Sequence, residues 1–136
     1  MKKMNTEIKY FKPAEAKRTL PLVKKIVSDI LLTAKEIKLL AEEIDGESES
    51  DPRFVKLVNR LNSFLRELEE IGCFFKDPNF SVGLIDFPSI IDNKEVYLCW
   101  RSDEEDILYY HDINEGYQGR KLIPPEYFSD YFILRE

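Results

Sequence analysis

Hydrophobic residues in this chain recur with one period before Gly72 and with another after it, so no single type of regular structure accommodates the whole sequence. Before Gly72 the spacing alternates between three and four residues. Val23, Ile26, Ile30, Thr33, Ile37, Leu40 and Ile44 make one such seam, with Thr33 its only polar member. That spacing puts side chains on one face of a helix of 3.6 residues per turn. Val27, Ala34 and Ala41 widen the stripe, as expected for a helix packed in a bundle. Pro13 suits a first helical turn, where no amide donor is needed, and Glu15 sits near the positive end of the helix dipole. Lys12 is a weak cap. Asp45 and Gly46 supply a stop, so helix one is predicted over residues 13–45.

A polar stretch from Glu47 to Asp51 follows. Asp51 then Pro52 is a start signal, the acid as cap and the proline in the first turn. Phe54, Leu57, Leu61, Phe64, Leu68 and Ile71 repeat the three-four spacing, and Gly72 stands where a left-handed residue ends a helix. Helix two is predicted over residues 52–71. Two seams joined by a short polar loop predict an antiparallel hairpin. Helix one, at ~1.5 Å per residue, would be ~45 Å long and would overhang its partner.

Beyond Gly72 the runs Val82–Phe87, Glu95–Arg101 and Ile107–Asp112 are rich in branched and aromatic residues and read as strands. Asp92 to Lys94 and Ser102 to Asp106 supply the turns, giving a three-stranded antiparallel meander over residues 82–112. Three strands need a covered face to be stable, and the helices are the available cover. Gly116 to Arg120 is a turn segment, Pro124-Pro125 breaks regular structure, and Tyr127 to Leu134 is apolar enough to dock as a helical turn. Residues 113–136 therefore read as an irregular docked tail. The predicted fold is α+β, a long antiparallel helical hairpin packed against a three-stranded antiparallel β-meander. A length of 136 residues suits a single domain, 1–136.

Composition removes several functions. One histidine excludes a two- or three-histidine metal site, and with two cysteines it falls short of a four-ligand zinc ribbon. Cys73 and Cys99 read as reduced thiols in a cytoplasmic protein. The N-terminal residues contain no apolar stretch of signal length, and no run approaches the ~18 apolar residues of a membrane span. The net charge of −6 argues against a nucleic-acid partner. Charge is uneven, however. Residues 1–38 carry ten Lys and Arg against four Asp and Glu, a net +6, and residues 39–136 carry ten against twenty-two, a net −12. The basic front, Lys2, Lys3, Lys9, Lys12, Lys17 and Arg18, reads either as a contact for an anionic partner or as solvated surface paired with the acidic half. There is no glycine-rich phosphate loop and no serine in a nucleophile elbow. Glu42, Glu43, Glu67, Glu69 and Glu70 lie on predicted helices without the helical histidine that carboxylate metal bundles use.

Chemistry is therefore confined to Asp86, Cys99, Arg101, Glu104, His111 and Arg120. If residues 102–106 form a loop, Arg101 faces Ile107, Cys99 faces Tyr109 and Tyr97 faces His111. Alternation then puts Tyr97, Cys99, Arg101, Tyr109 and His111 on one sheet face, and Leu98, Trp100, Leu108 and Tyr110 on the core face. In one reading His111 is a metal ligand or general base, with Glu104 or Asp86 as carboxylate partner and Cys99 as an added thiolate for zinc, iron or manganese. In the other, Asp86 and Glu104 pair with Arg101 and Arg120, His111 hydrogen-bonds a carboxylate or carbonyl, and Cys99 is a small buried hydrophobe.

The order of short motifs adds a family resemblance. Tyr10-Phe11, Glu15-Ala16, Leu20-Pro21, Lys76-Asp77, Gly83-Leu84-Ile85-Asp86-Phe87-Pro88, Leu98-Cys99-Trp100-Arg101, Glu104, His111 and Gly116-Tyr117-Gln118-Gly119-Arg120 together resemble an uncharacterised prokaryotic family, domain of unknown function 2203. The resemblance covers about Tyr10 to Leu122 and implies no established activity. Four positions depart from the family pattern: Ser102-Asp103 replace Leu-Gly, Tyr110 replaces Trp, and Lys12 replaces a Ser or Thr cap.

Leu22, Leu31, Leu32 and Leu39 lie off the main seam of helix one and call for a second cover, either the sheet or another copy of the chain. The expectation for function is a non-catalytic interaction or scaffold protein, homodimeric through its long helices. The alternative is a metal-binding protein or metal-dependent enzyme with a mixed His/carboxylate site on the β-hairpin.

Overall fold

The computed structural model describes residues 7–44 and 50–129. Two helices, α1 (Pro13–Ile44) and α2 (Pro52–Ile71), pack against a five-stranded antiparallel sheet. Its strands are β1 (Phe74–Phe75), β2 (Leu84–Ile91), β3 (Lys94–Arg101), β4 (Tyr109–Asp112) and β5 (Lys121–Leu122), in spatial order β1-β2-β3-β4-β5. The expected meander is β2, β3 and β4. Two-residue strands extend it at either edge.

Local chemistry fixes the helix ends. The Lys12 side chain does not cap α1. Instead the Lys12 amide donates to Glu15 Oε1 at 2.9 Å, the half of a capping box in which an acid in the first turn reaches back. The stop predicted at Asp45 and Gly46 lies outside the described residues. α1 also runs through Pro21, which lacks the amide for one helical hydrogen bond and typically costs ~3 kcal/mol. Leu20 and Val23, on either side of it, are both buried in the core, which offsets that loss. In α2, Asp51 accepts from the Arg53 amide at 2.8 Å. Gly72, with φ +113°, ends the helix by donating its amide to the Leu68 carbonyl at 3.0 Å.

The buried positions of α1 run from Pro13 to Thr33. Beyond them Ile37, Leu40, Ala41 and Ile44 are only partly covered, so the end of α1 overhangs the sheet. The core joins Leu20, Val23, Val27 and Ile30 of α1 and Leu68 of α2 to Ile85, Phe87, Leu98 and Trp100 of the sheet. Each such side chain contributes about 1.5–3 kcal/mol when fully buried.

The β2–β3 hairpin turns at Asp92 and Asn93, whose φ values of 54° and 63° are the consecutive left-handed pair that a type I′ turn requires. This turn sets the register Ile91↔Lys94 through Leu84↔Arg101. β2 is longer than the predicted Val82–Phe87 because Pro88 does not interrupt it. The Phe11 amide donates to the Pro88 carbonyl at 2.7 Å, on the side of β2 away from β3. A strand residue's N–H and C=O point the same way, so the missing donor of Pro88 falls on that outer side, where the β2–β3 ladder does not use it. β4 begins at Tyr109 rather than Ile107. Ile107 is buried, and Leu108, expected in the core, is exposed because the two precede the ladder and do not follow its alternation.

The tail is anchored at three points. Ile123 is buried, a 3₁₀ turn spans Pro125–Phe128, and the Tyr127 hydroxyl donates to Asp92 Oδ1 at 2.7 Å. The part of the predicted docking segment beyond residue 129 lies outside the described residues.

Gly83 is the tightest meeting point of helix and sheet. A Cβ there would stand 2.4 Å from Val27 Cγ1 and 2.9 Å from Ser102 Cβ. Gly83→Ala is therefore expected to lower the unfolding free energy by about 1–3 kcal/mol in urea. Gly116→Ala, with open space around the added methyl, should leave it nearly unchanged. Equal midpoints for the two variants would contradict this packing.

Candidate functional site

Register and alternation build the site. Asp86 stands opposite Cys99, Cys99 opposite Tyr109, and Tyr97 opposite His111. Side chains alternate along each strand, so Asp86, Cys99 and His111 share the sheet face turned away from the helices. Although on the outer face, Asp86 is 4% exposed, Cys99 0% and His111 4%. They lie at a cavity of about 260 Å³ whose walls include Lys76, Leu84, Tyr97, Ile113, Glu115 and Tyr117.

The three side chains converge. One ligating atom from each of Asp86, Cys99 and His111 lies within 4.8 Å of the other two. His111 Nδ1 is 2.8 Å from the Asp112 carbonyl oxygen. A carbonyl only accepts, so Nδ1 carries a hydrogen and Nε2 is the nitrogen whose state can change. Nε2 stands 3.2 Å from Asp86 Oδ1. The Cys99 Sγ lies within 4.8 Å of the ligating atoms of both Asp86 and His111. One nitrogen, one carboxylate oxygen and one sulfur thus form a convergent set of possible ligands.

The His111 pKa is pushed up from 6.5 to about 10. The Asp86 hydrogen bond is the main cause. The Cys99 hydrogen bond, the Asp112 carbonyl and the charge on Asp86 act in the same direction, while burial opposes them. The ring is therefore an imidazolium paired with Asp86 when a proton occupies Nε2. Cys73 provides the contrast. Burial pushes its thiol up to about 12, its Sγ donates to the Leu68 carbonyl at 3.7 Å, and it belongs to the core.

Glu104, grouped with these residues on the sequence, stands apart from them. Arg120 Nη1 donates to Glu104 Oε1 at 3.0 Å, and Arg120 Nη2 lies 2.8 Å from Oε2, a two-pronged ion pair. The Arg101 amide donates to Glu104 Oε1 at 2.9 Å, and the Trp100 indole donates to the Glu104 carbonyl at 2.9 Å. Burial works to raise the Glu104 pKa, but the Arg120 hydrogen bond and the other donors hold the carboxyl below its ordinary value. The Arg120 guanidinium is 4.1 Å from the centroids of both the Tyr109 and Tyr117 rings. Arg101 Nη1 donates to the Tyr117 hydroxyl at 3.1 Å, and its Nε lies 3.3 Å from Asp103 Oδ1. This cluster clasps the β3–β4 loop to the tail and holds Tyr117, which lines the cavity. It also explains how the loop manages without glycine. Residues 102–106 have no positive φ, and Glu104 closes the turn by donating its amide to the Arg101 carbonyl.

Lys76, Tyr97 and the Asp112 carbonyl were not singled out as site groups on the sequence. Tyr97 was legible through its place opposite His111. The other two carry no periodic signal. Of the basic front, Lys9 lies over the Phe11 ring and Lys17 over Phe128, while Lys2 and Lys3 fall outside the described residues. Among the described residues no helix is long and apolar enough to cross a membrane.

Comparison with known proteins agrees with the resemblance in the motifs. A family model described as "Uncharacterized conserved protein (DUF2203)" matches residues 9–123, and the chain belongs to that family. No curated protein and no solved structure matches it.

The raised pKa of His111 makes stability depend on pH. The folded value lies above the unfolded one, so the contribution is complete below about pH 6.5 and is lost as the pH rises to about 10. In metal-free protein, the urea stability of the wild type should fall toward that of His111→Gln across this window. Taking the difference between the two cancels the titration of Cys73. A constant difference would contradict the ion pair.

Proposed function

We propose that this chain binds one divalent cation of the zinc class through Asp86, Cys99 and His111 Nε2, with a further coordination position facing the cavity. The convergence of three buried, chemically different ligand atoms carries this reading. Zinc bonds of about 2.0–2.3 Å in a tetrahedron put neighbouring ligand atoms ~3.4 Å apart. The Nε2–Oδ1 distance of 3.2 Å already fits that spacing. The Nδ1–H bond to the Asp112 carbonyl is the outer contact that orients a ligating histidine and fixes its tautomer.

Charge supports the same reading. A carboxylate, a thiolate and a neutral imidazole sum to −2, which a divalent cation balances. A carboxylate, a thiol and an imidazolium sum to zero without it. Both forms are neutral, as burial demands, and they differ by exchange of the cation for two protons. The cysteine sulfur disfavours magnesium and calcium, which prefer oxygen ligands. Three protein ligands with a further position open is also the arrangement in which zinc polarises a bound water or carbonyl.

Metal analysis of natively purified protein should find about one cation per chain. Titration with zinc in weak buffer should release close to two protons for each ion bound. His111→Ala and Cys99→Ser should each cost more affinity than the about 10–100-fold typical of losing an outer contact. Glu104→Gln should retain the metal and lose stability instead. Failure to take up zinc or cobalt would overturn the reading, as would retention of the metal in His111→Ala.

A second reading, assembly as a scaffold, is supported by one observation. Leu32 and Leu39 are seven residues apart on α1 and remain 59% and 56% exposed. Pairing of this face with a second copy would cover them. Light scattering should then report a dimer that the double variant Leu32→Lys, Leu39→Lys converts to monomer. A wild-type monomer would end this reading. The free, buried thiols Cys73 and Cys99 fit a reducing, cytoplasmic setting.

A further inference from the structure

We infer, resting on the metal reading above, that the site takes a small organic monocarboxylate with an apolar body: the carboxylate on the cation, the body in the groove that leaves the cavity across Tyr97. Tyr97 and Ile113 line both the cavity beside the ligand set and a second hollow of about 120 Å³. The second hollow is walled further by Ile8, Tyr10, Phe74, Pro88 and Val96, with Glu95 as its charged member. The two volumes together reach the lower end of the about 300–1,000 Å³ typical of small-molecule sites.

The groove is mostly apolar where a solvated sheet face would be polar. Ile8 is 57% exposed, Ile113 49% and Phe74 38%. Apolar side chains gathered on a surface beside convergent polar groups mark a place where an apolar ligand is covered. Register ties the groove to the ligand set. Phe74 stands opposite Asp86, and Tyr97 stands opposite His111 with its ring 5.7 Å from the imidazole. Tyr10, 38% exposed, adds its ring to the same wall.

The charge of the head group follows from the charged residues of the cavity. The cation is balanced by Asp86 and Cys99. Lys76 lines the cavity with its Nζ 6.0 Å from the Tyr97 ring. Glu115, the other charged residue of the wall outside the ligand set, is folded against Gly119, with Oε1 2.6 Å from where a Cβ on that glycine would stand. One lysine on the cavity wall, with the Glu115 carboxylate turned to Gly119, and one coordination position suit a head with a single negative charge and an oxygen donor. A carboxylate has both.

Calorimetric titration of zinc-loaded protein with octanoate, acetate and 1-octanol tests this. Octanoate should bind about tenfold tighter or more than either half-probe, because only it offers both head and apolar body. Removing zinc should abolish the advantage over octanol. Ile113→Glu, outside the ligand set, should weaken octanoate about tenfold while the metal content stays constant. Equal octanoate affinity with and without zinc would overturn the inference, as would no octanoate binding to fully loaded protein. In both cases the metal reading survives. Absence of metal uptake, measured separately, would overturn both.

Discussion

A buried carboxylate and a buried imidazole stand 3.2 Å apart on the outer face of a sheet, and the surrounding structure answers to that contact. Neither group can be ionised in isolation away from water without a penalty of several kcal/mol. The pair therefore needs a proton or a cation between its members, a fixed ring orientation and a lid. The Asp112 carbonyl fixes the ring. Cys99 supplies a third donor atom within 4.8 Å of the other two. Tyr117 contributes to the lid and is held by Arg101 and Arg120, which is itself clamped by Glu104. Polar residues scattered between Asp86 and Arg120 thus form a convergent set and, beside it, an ion-paired clasp.

The scaffold controls this arrangement through register. Asp92 and Asn93 adopt the left-handed pair that makes the β2–β3 turn two residues long, and this turn puts Asp86 opposite Cys99. A slip of one residue would move Asp86 to the helix side and bring Ile85 or Phe87 to the cavity. The inner face prevents the slip. Ile85, Phe87, Leu98 and Trp100 are nearly inaccessible there against α1, and Gly83 lets Val27 approach more closely than any side chain would permit. Packing on one face thus holds the chemistry on the other in place.

Much of this was legible in the order of residues. The change of period at Gly72 separates helices from sheet, and the pairing of Tyr97 with His111 follows from counting across the Ser102–Asp106 loop. What was not legible has physical reasons. β1 and β5 are two residues long, too short to carry a period. Pro88 reads as a strand breaker until the Phe11 segment is seen beside it, on the side where no ladder donor is needed. Leu108 follows no alternation because it precedes the ladder of β4. Glu104 lies in a loop, where spacing does not say which way a carboxylate turns, and Arg120 captures it. The carbonyl of Asp112 is a backbone group that any residue would provide.

The central claim is that one sulfur, one nitrogen and one carboxylate oxygen of this chain meet at a single point. Zinc K-edge absorption on the metal-loaded protein measures that most directly. The prediction is one sulfur scatterer at about 2.3 Å together with nitrogen and oxygen scatterers at about 2.0–2.2 Å, the sulfur disappearing in Cys99→Ser. A first shell of nitrogen and oxygen alone, or one unchanged in that variant, would contradict it.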